Sequence, residues 1–178
     1  MNLTVRVAIP EDATLISEIG KETFYETWRP VNTEEDMQEY MKHSFALEKI
    51  KSEITNKVVN TFLIAYDGEQ VIGYTKLRRD RWYAELEGKK SLEIERIYVK
   101  KSYQDKKAGK AMMDESIRLA EKEDCYYLWL GVNVDNTKAI RFYEKYNFVI
   151  FGEKHFQLGA AVDTDYLMKK NVPDSRQS

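Results

Sequence analysis

Cysteine is nearly absent from these 178 residues. Cys125 stands alone, which excludes an internal disulfide and leaves no cysteine cluster for a structural zinc, as in a reducing compartment. The two histidines, His43 and His155, are isolated from each other, so no metal is assigned. Long apolar runs are also missing. The N-terminal MNLTVRVAIP has no apolar run of the length a signal peptide needs, and no stretch approaches the ~20 apolar residues of a membrane span. Neither sign of charge prevails: 28 Lys and Arg stand against 30 Asp and Glu, a net charge of −2, so no global field marks a nucleic-acid binder. These absences predict a soluble cytoplasmic protein without nucleic-acid or membrane partners, whose electrostatic recognition is local. What is present is 43% apolar residues, enough for a sizeable core. Residues 1–170 read as one domain and residues 171–178 as a flexible tail.

Leu3 to Ile9 alternates as a strand does, and Pro10, Glu11 and Asp12 then supply a helix start. Leu15, Ile16, Ile19, Thr23 and Phe24 recur at helical spacing, and Pro30 disfavours helical geometry at Arg29, ending the first helix near Trp28. Thr33 is an N-cap for a second helix with Met37, Tyr40 and Met41 inward; Phe45, Leu47, Ile50 and Ile54 continue that face after a break. Thr61 to Tyr66 and Val71 to Leu77 flank Asp67-Gly68 as an antiparallel hairpin. Arg78 to Lys90 is too charged to bury and reads as a connection, with Trp82, Tyr83 and Leu86 as loop packing or a substrate clamp. Strands at Ser91 to Val99 and Tyr126 to Val132 alternate with helices at Gly109 to Glu123 and Asn136 to Tyr146. Two more strands, Phe148 to Phe156 and Val162 to Met168, close the chain around a turn containing Gly159.

The segment after Val99 carries the chemistry. A strand, LEIERIYV, leads through KKSYQDKKAGK into an amphipathic helix, so backbone N–H groups converge where phosphate binds readily. Gly109 permits close approach of a ligand, and the five lysines from Lys100 to Lys110 add positive charge. A solvated lysine-rich turn before an ordinary helix fits the same residues.

Gln104-Asp105-Lys106-Lys107-Ala108-Gly109 resembles the Gln/Arg-x-x-Gly-x-Gly/Ala acetyl-CoA signature of the GNAT acetyltransferases. Downstream, Asn136-Thr137-Lys138-Ala139 with Tyr143, Asn147 and Phe148 is similar to the family's Asn-x-x-Ala-x-x-x-Tyr-x-x-x-Gly-Phe. Two positions depart from the pattern. Lys107 replaces the first signature glycine, where its N–H still donates but its Cβ is expected to push the loop outward or weaken cofactor affinity. Asn147 replaces a glycine at a helix end, an exchange expected to be nearly silent. The resemblance implies an α/β, GNAT-like mixed and mostly antiparallel central sheet of about seven strands with about four flanking helices. It implies acetyl-CoA as cosubstrate, held by Gln104, Asp105, Lys106, Lys107, Ala108, Gly109 and Lys110, by the main chain of Ile97, Tyr98 and Val99, and by Asn136.

The same resemblance offers Tyr143 as the acid for the departing thiolate; a phenol of pKa ~10 is still protonated when a thiolate of pKa ~8.5 leaves. Periodicity alone places Tyr143 in the core. The amine must lose a proton, and Glu93 and Glu95, on one face of their strand, are equal candidates for the base; solvated strand-edge glutamates or partners of Arg96 fit as well. Cys125 reads as a packed thiol, so the amine attacks directly in a ternary complex. Thr23-Phe24, Thr27-Trp28, Asn32, Met37, Tyr40, Phe45, the strand from Ser91 to Val99, Leu128 to Val132 and Thr164-Asp165 look like the PaiA-type spermidine/spermine acetyltransferases, which implies a polyamine acceptor. Seven acids against two bases between Glu18 and Glu39 would draw a cation there or merely form solvated helix faces. Another small amine, a peptide N-terminus, or a non-catalytic acyl-CoA-binding regulator are the alternatives, and a homodimer through the last strands is compatible with catalysis.

Overall fold

The computed structural model describes residues 2–158 and 161–173. The expected turn at Gly159 and the end of the expected tail, residues 174–178, lie outside them. Strand β1 (Leu3–Val7) precedes helices α1 (Ala13–Trp28), α2 (Glu34–Ser44) and α3 (Leu47–Thr55). Strands β2 (Asn60–Asp67), β3 (Gln70–Arg78) and β4 (Ser91–Val99) follow, then α4 (Ala108–Lys122), β5 (Tyr127–Asn133), α5 (Thr137–Glu144), β6 (Val149–Leu158) and β7 (Ala161–Asn171). Among the described residues no helix is long and apolar enough to cross a membrane.

The seven strands lie in the order β1-β2-β3-β4-β5-β7-β6. β1 is antiparallel to β2, and β7 is antiparallel to both β5 and β6. Gly68 and Glu69 join β2 to β3 in a two-residue turn, too short for anything but an antiparallel pair, and Gly68 takes the left-handed φ of 60° that such a turn needs. β4 and β5 are parallel, paired from Ser91↔Tyr127 to Ile94↔Leu130. The mixed, mostly antiparallel sheet is the expected one.

Five α-helices form where about four were expected, because the second is interrupted between Ser44 and Leu47. Thr33 caps α2 as expected, its hydroxyl accepting from the Asp36 amide at 3.2 Å. At the interruption Ala46 turns to extended backbone (ψ 133°), and Ser17 of α1 donates its hydroxyl to the Phe45 carbonyl at 2.6 Å. That buried hydrogen bond satisfies a carbonyl the broken helix would otherwise leave orphaned.

The chain gathers into two units, and β4 and α4 each contribute to both. The first comprises Met1–Leu77 and Arg96–Glu115. In it α1 buries Ile16, Ile19, Thr23 and Phe24, and Phe24 stacks on Tyr40 with centroids 4.4 Å apart. Phe45 reaches this layer only because residue 20 is glycine: a Cβ there would lie 2.5 Å from the Phe45 ring. The second unit comprises Arg78–Glu95 and Ser116–Ser178. Its core centres on Trp129, fully buried with Leu86, Tyr127 and Leu167, and met edge-on by Tyr83 at 5.1 Å. The segment from Arg78 to Lys90, read from its charge as a surface connection, therefore sends Leu86 fully inside, whereas Trp82 stays 62% exposed. Its charges are met by partners: Arg79 pairs with Glu123 at 2.5 Å.

Candidate active site

In the first unit β4 ends at Val99 and the chain turns toward α4. Ile97 and Val99 pack against Ala65, Ile72, Ala108 and Met112, so their side chains serve the core. Tyr98 projects to the opposite face, where its ring stacks on Tyr74 at 6.1 Å and its hydroxyl accepts from Trp28 Nε1 at 3.3 Å. The turn is held by helix α1: Glu22 pairs with Lys100 at 2.8 Å, and Glu26 accepts from the Lys101 amide at 2.8 Å. Two of the seven acids that could have faced a cationic acceptor are thus spent on the turn. Glu34 is taken up by Arg29, Tyr25 and Gln38, and Glu39 by His43.

Gln104 is extended, whereas Asp105 and Lys107 both have φ of 64°. The first hydrogen bond of α4 runs from the Ala111 amide to the Lys107 carbonyl at 3.0 Å, so the amides of Ala108, Gly109 and Lys110 have no acceptor within the helix. Ala108 is buried to 1% exposure and anchors this end, while Gln104 to Lys107 are exposed. Amides at a fixed helix N-terminus, beside lysines, are the donor set a pyrophosphate requires. Lys107 takes the left-handed conformation, φ 64°, that a glycine adopts without strain. The Cβ costs about 1–2 kcal/mol in that conformation.

In the second unit Glu93 is 2% exposed, and its Oε2 has no hydrogen-bond partner. Burial, reinforced by the nearby charge of Glu95, raises its pKa from 4.5 to about 7, against the opposing pull of Arg81, Lys154 and Arg78. Glu95 is half-buried, with Arg78 at 3.6 Å. The two carboxylates that the sequence left as equals are therefore in different environments. The Arg96 guanidinium lies 4.6 Å over the Phe45 ring. Trp129 stands opposite Glu93 in the β4–β5 register, and its own Nε1 lacks a hydrogen-bond acceptor. Lys154 and Asp165 pair across β6 and β7 at 3.7 Å, and burial raises the Asp165 pKa. Sequence reasoning missed Arg78, Arg81 and Lys154 as neighbours of Glu93. Their charged side chains looked like ordinary surface, and only pairing of distant strands could reveal them.

Helix α5 carries the other two candidates. Asn136 caps it, its Oδ1 accepting from the Ala139 amide at 3.1 Å. Tyr143 is 8% exposed, with ring contacts to Phe142 at 5.5 Å and Phe148 at 5.9 Å. Asn147, just past the helix, has φ of 63°, and the Phe148 amide returns to the Tyr143 carbonyl at 3.2 Å. Asparagine tolerates this conformation best after glycine, which explains the exchange. Cys125 is buried, and burial raises its thiol pKa, opposite to what a nucleophile needs.

Residues 21–148 match the profile of the Acetyltransferase (GNAT) family. The chain belongs to the GNAT acetyltransferases. An uncharacterised N-acetyltransferase of Lactobacillus delbrueckii subsp. lactis is 35% identical over 152 residues, 85% of this chain and 87% of that protein. The spermidine N(1)-acetyltransferase of Thermoplasma acidophilum is 26% identical over 153 residues, 84% of this chain and 90% of that one. The crystal structure of the PaiA N-acetyltransferase from Thermoplasma acidophilum in complex with coenzyme A superimposes with a TM-score of 0.76 at 24% identity, over 96% of this chain and 99% of that one. This GNAT chain is an acetyl-CoA-dependent N-acetyltransferase, and its fold is that of the family. Among the described residues no group of His, Cys, Asp and Glu gathers to hold a metal ion.

Proposed function

We propose that this acetyltransferase N-acetylates a polyamine of the spermidine/spermine class in the cytoplasm, the amine attacking the thioester directly in a ternary complex. Acetyl-CoA supplies the acetyl group in an activated form and leaves as the thiol. The residues that hold it are the amides of Ala108, Gly109 and Lys110, with Gln104 to Lys107 shaping the turn and the main chain of Ile97 to Val99 offering a strand edge for the pantetheine arm. Asn136 uses its Oδ1 in capping, which leaves its amide N–H groups for a ligand.

The observation that carries the catalytic reading is the state of Glu93. A buried carboxylate with pKa about 7 and an unengaged oxygen can take a proton from an ammonium at physiological pH and hold it while the amine reacts. Glu95, beside Arg78, tunes that basicity through its charge. Tyr143 donates its hydroxyl proton to the departing thiolate; a phenol of pKa ~10 is still protonated at physiological pH, so the proton is there to give. The polyamine assignment is supported by likeness to the Thermoplasma spermidine enzyme and by the PaiA-type pattern of residues along the chain.

The test is thiol release from acetyl-CoA with spermidine, spermine, lysine, aminoglycosides and short peptides. Selective turnover of the polyamines is the expected result. Turnover confined to another amine overturns the acceptor assignment and leaves the enzyme, whereas tight acetyl-CoA binding with no turnover on any acceptor overturns the catalytic reading.

A further inference from the structure

We propose that Lys154 is a positioning residue for the reaction: its ammonium, seated over Gly131 on the sheet face that carries Glu93, favours the ionised carboxylate that takes the proton. The proposal rests on the reading of Glu93 as the base. Strand pairing within the second unit puts these residues on one face. Glu93 of β4 stands opposite Trp129 of β5, and Gly131 follows two residues on, hence on the same side of the pleat. Gly131 in turn stands opposite Leu167 of β7. Asp165 lies two residues from Leu167, and Lys154 of β6 stands opposite Asp165.

The place of the ammonium is built into the sheet. Gly131 does not take the left-handed φ seen at Gly68 and Gly88, so its backbone does not require glycine. The space beside it does: a Cβ there would lie 2.8 Å from both Cε and Nζ of Lys154 and 3.4 Å from Asp165 Oδ2. Asp165 pairs with the ammonium at 3.7 Å, and the two side chains are only 26% and 14% exposed. Trp129, fully buried and met edge-on by Tyr83 and Phe151, fills the same face, so charges act across packed rings and are little screened. The other titratable or charged groups that act on Glu93 or lie on its face are Glu95, Tyr83, Arg78, Arg81 and Lys169. Arg78 is drawn to Asp80 at 2.5 Å, Arg81 to the Tyr83 hydroxyl, and Lys169 to the Glu85 carbonyl at 2.7 Å. Lys154 is thus a cation fixed by the sheet itself, and a cation near a carboxylate favours its charged form.

The test is kcat/KM for the amine against pH in the wild type, Lys154→Met, Lys154→Arg, Gly131→Ala and the Gly131→Ala/Lys154→Met double variant, with Glu93→Gln as the reference for the acid limb. Lys154→Met is expected to move the limb to higher pH, lowering kcat/KM about three- to fivefold at pH ~6, a deficit that vanishes by pH ~9. Lys154→Arg keeps the charge and should restore the wild-type limb. In Gly131→Ala the new Cβ displaces the end of a flexible side chain, which yields without disrupting the sheet, and the limb should move the same way. In the double variant the alanine should add nothing, because the ammonium it displaces is gone. An unmoved limb in Lys154→Met, or a loss equal at every pH, overturns the proposal and leaves Glu93 its role; so does a shift from Gly131→Ala that persists in the double variant. If Lys154→Met does not fold, the limb of Gly131→Ala decides by the same criterion. A limb that survives in Glu93→Gln overturns the base reading and this proposal with it.

Discussion

Replacing Glu93 by Gln is expected to make the enzyme slower and the protein more stable. The carboxyl is held at about 7 in the fold against an ordinary 4.5, chiefly because burial disfavours its charge. That displacement corresponds to about 3 kcal/mol. The folded state binds the proton more tightly than the unfolded chain, so stability is greatest below pH 4.5 and falls as pH rises toward 7, where the ionised carboxylate costs its full amount. Glutamine mimics the protonated acid at every pH. Glu93→Gln and wild type should therefore unfold alike below pH 4.5, and the variant should gain up to about 3 kcal/mol above pH 7. Activity runs the other way. Only the ionised form accepts a proton, so about a tenth of the wild-type base is active at pH 6 and about nine-tenths at pH 8. kcat/KM for the amine should rise about tenfold per pH unit below 7 and level off above it. The variant should lose about 10²–10⁴ in rate together with that limb. Urea unfolding at pH 4.5 and 8, paired with a pH–rate profile, reads both. An equal stability difference at the two pH values refutes the burial argument; a retained acid limb in the variant refutes the role of Glu93 as base.

Glu95→Gln removes the like charge near Glu93, so the acid limb should move to lower pH with turnover largely kept; loss of the limb altogether would transfer the base role to Glu95. Tyr143→Phe keeps the ring contacts with Phe142 and Phe148 and removes the hydroxyl, so turnover should fall by about 10²-fold while acetyl-CoA affinity holds. Wild-type turnover in a steady-state assay would remove Tyr143 as the acid. Gly20→Ala places a Cβ 2.5 Å from the Phe45 ring and should cost about 1–3 kcal/mol in chemical denaturation, although alanine is the better helix former; a stabilised variant would show that Phe45 moves freely.

Much of the fold follows from local pattern. Apolar residues at helical spacing defined α1, Thr33 fixed the start of α2, and the Asp67-Gly68 pair placed the β2–β3 hairpin, because caps, turns and periodicity act over a few residues. The turn between β4 and α4 was legible for the same reason: a glycine-bearing turn between a strand and a helix needs no distant partner to be recognised. The interruption of α2 and α3 was visible as a change in spacing, but its cause, the Ser17 hydroxyl on the Phe45 carbonyl and the space left by Gly20, spans α1 and the break.

What the sequence determined by itself was the family, the order of strands and helices along the chain, and the pair of titratable residues, Glu93 and Glu95, proposed for the base. Tertiary structure alone decided how the two members of that pair differ. Glu93 and Glu95 share a strand face and a residue type, and nothing within several residues of either tells them apart. The difference arises from side chains far along the chain: Arg78 lies beside Glu95, while burial raises the Glu93 pKa against the weaker opposing charges of Arg81 and Lys154. Desolvation depends on the density of atoms around a group, and that density exists only after distant strands have paired.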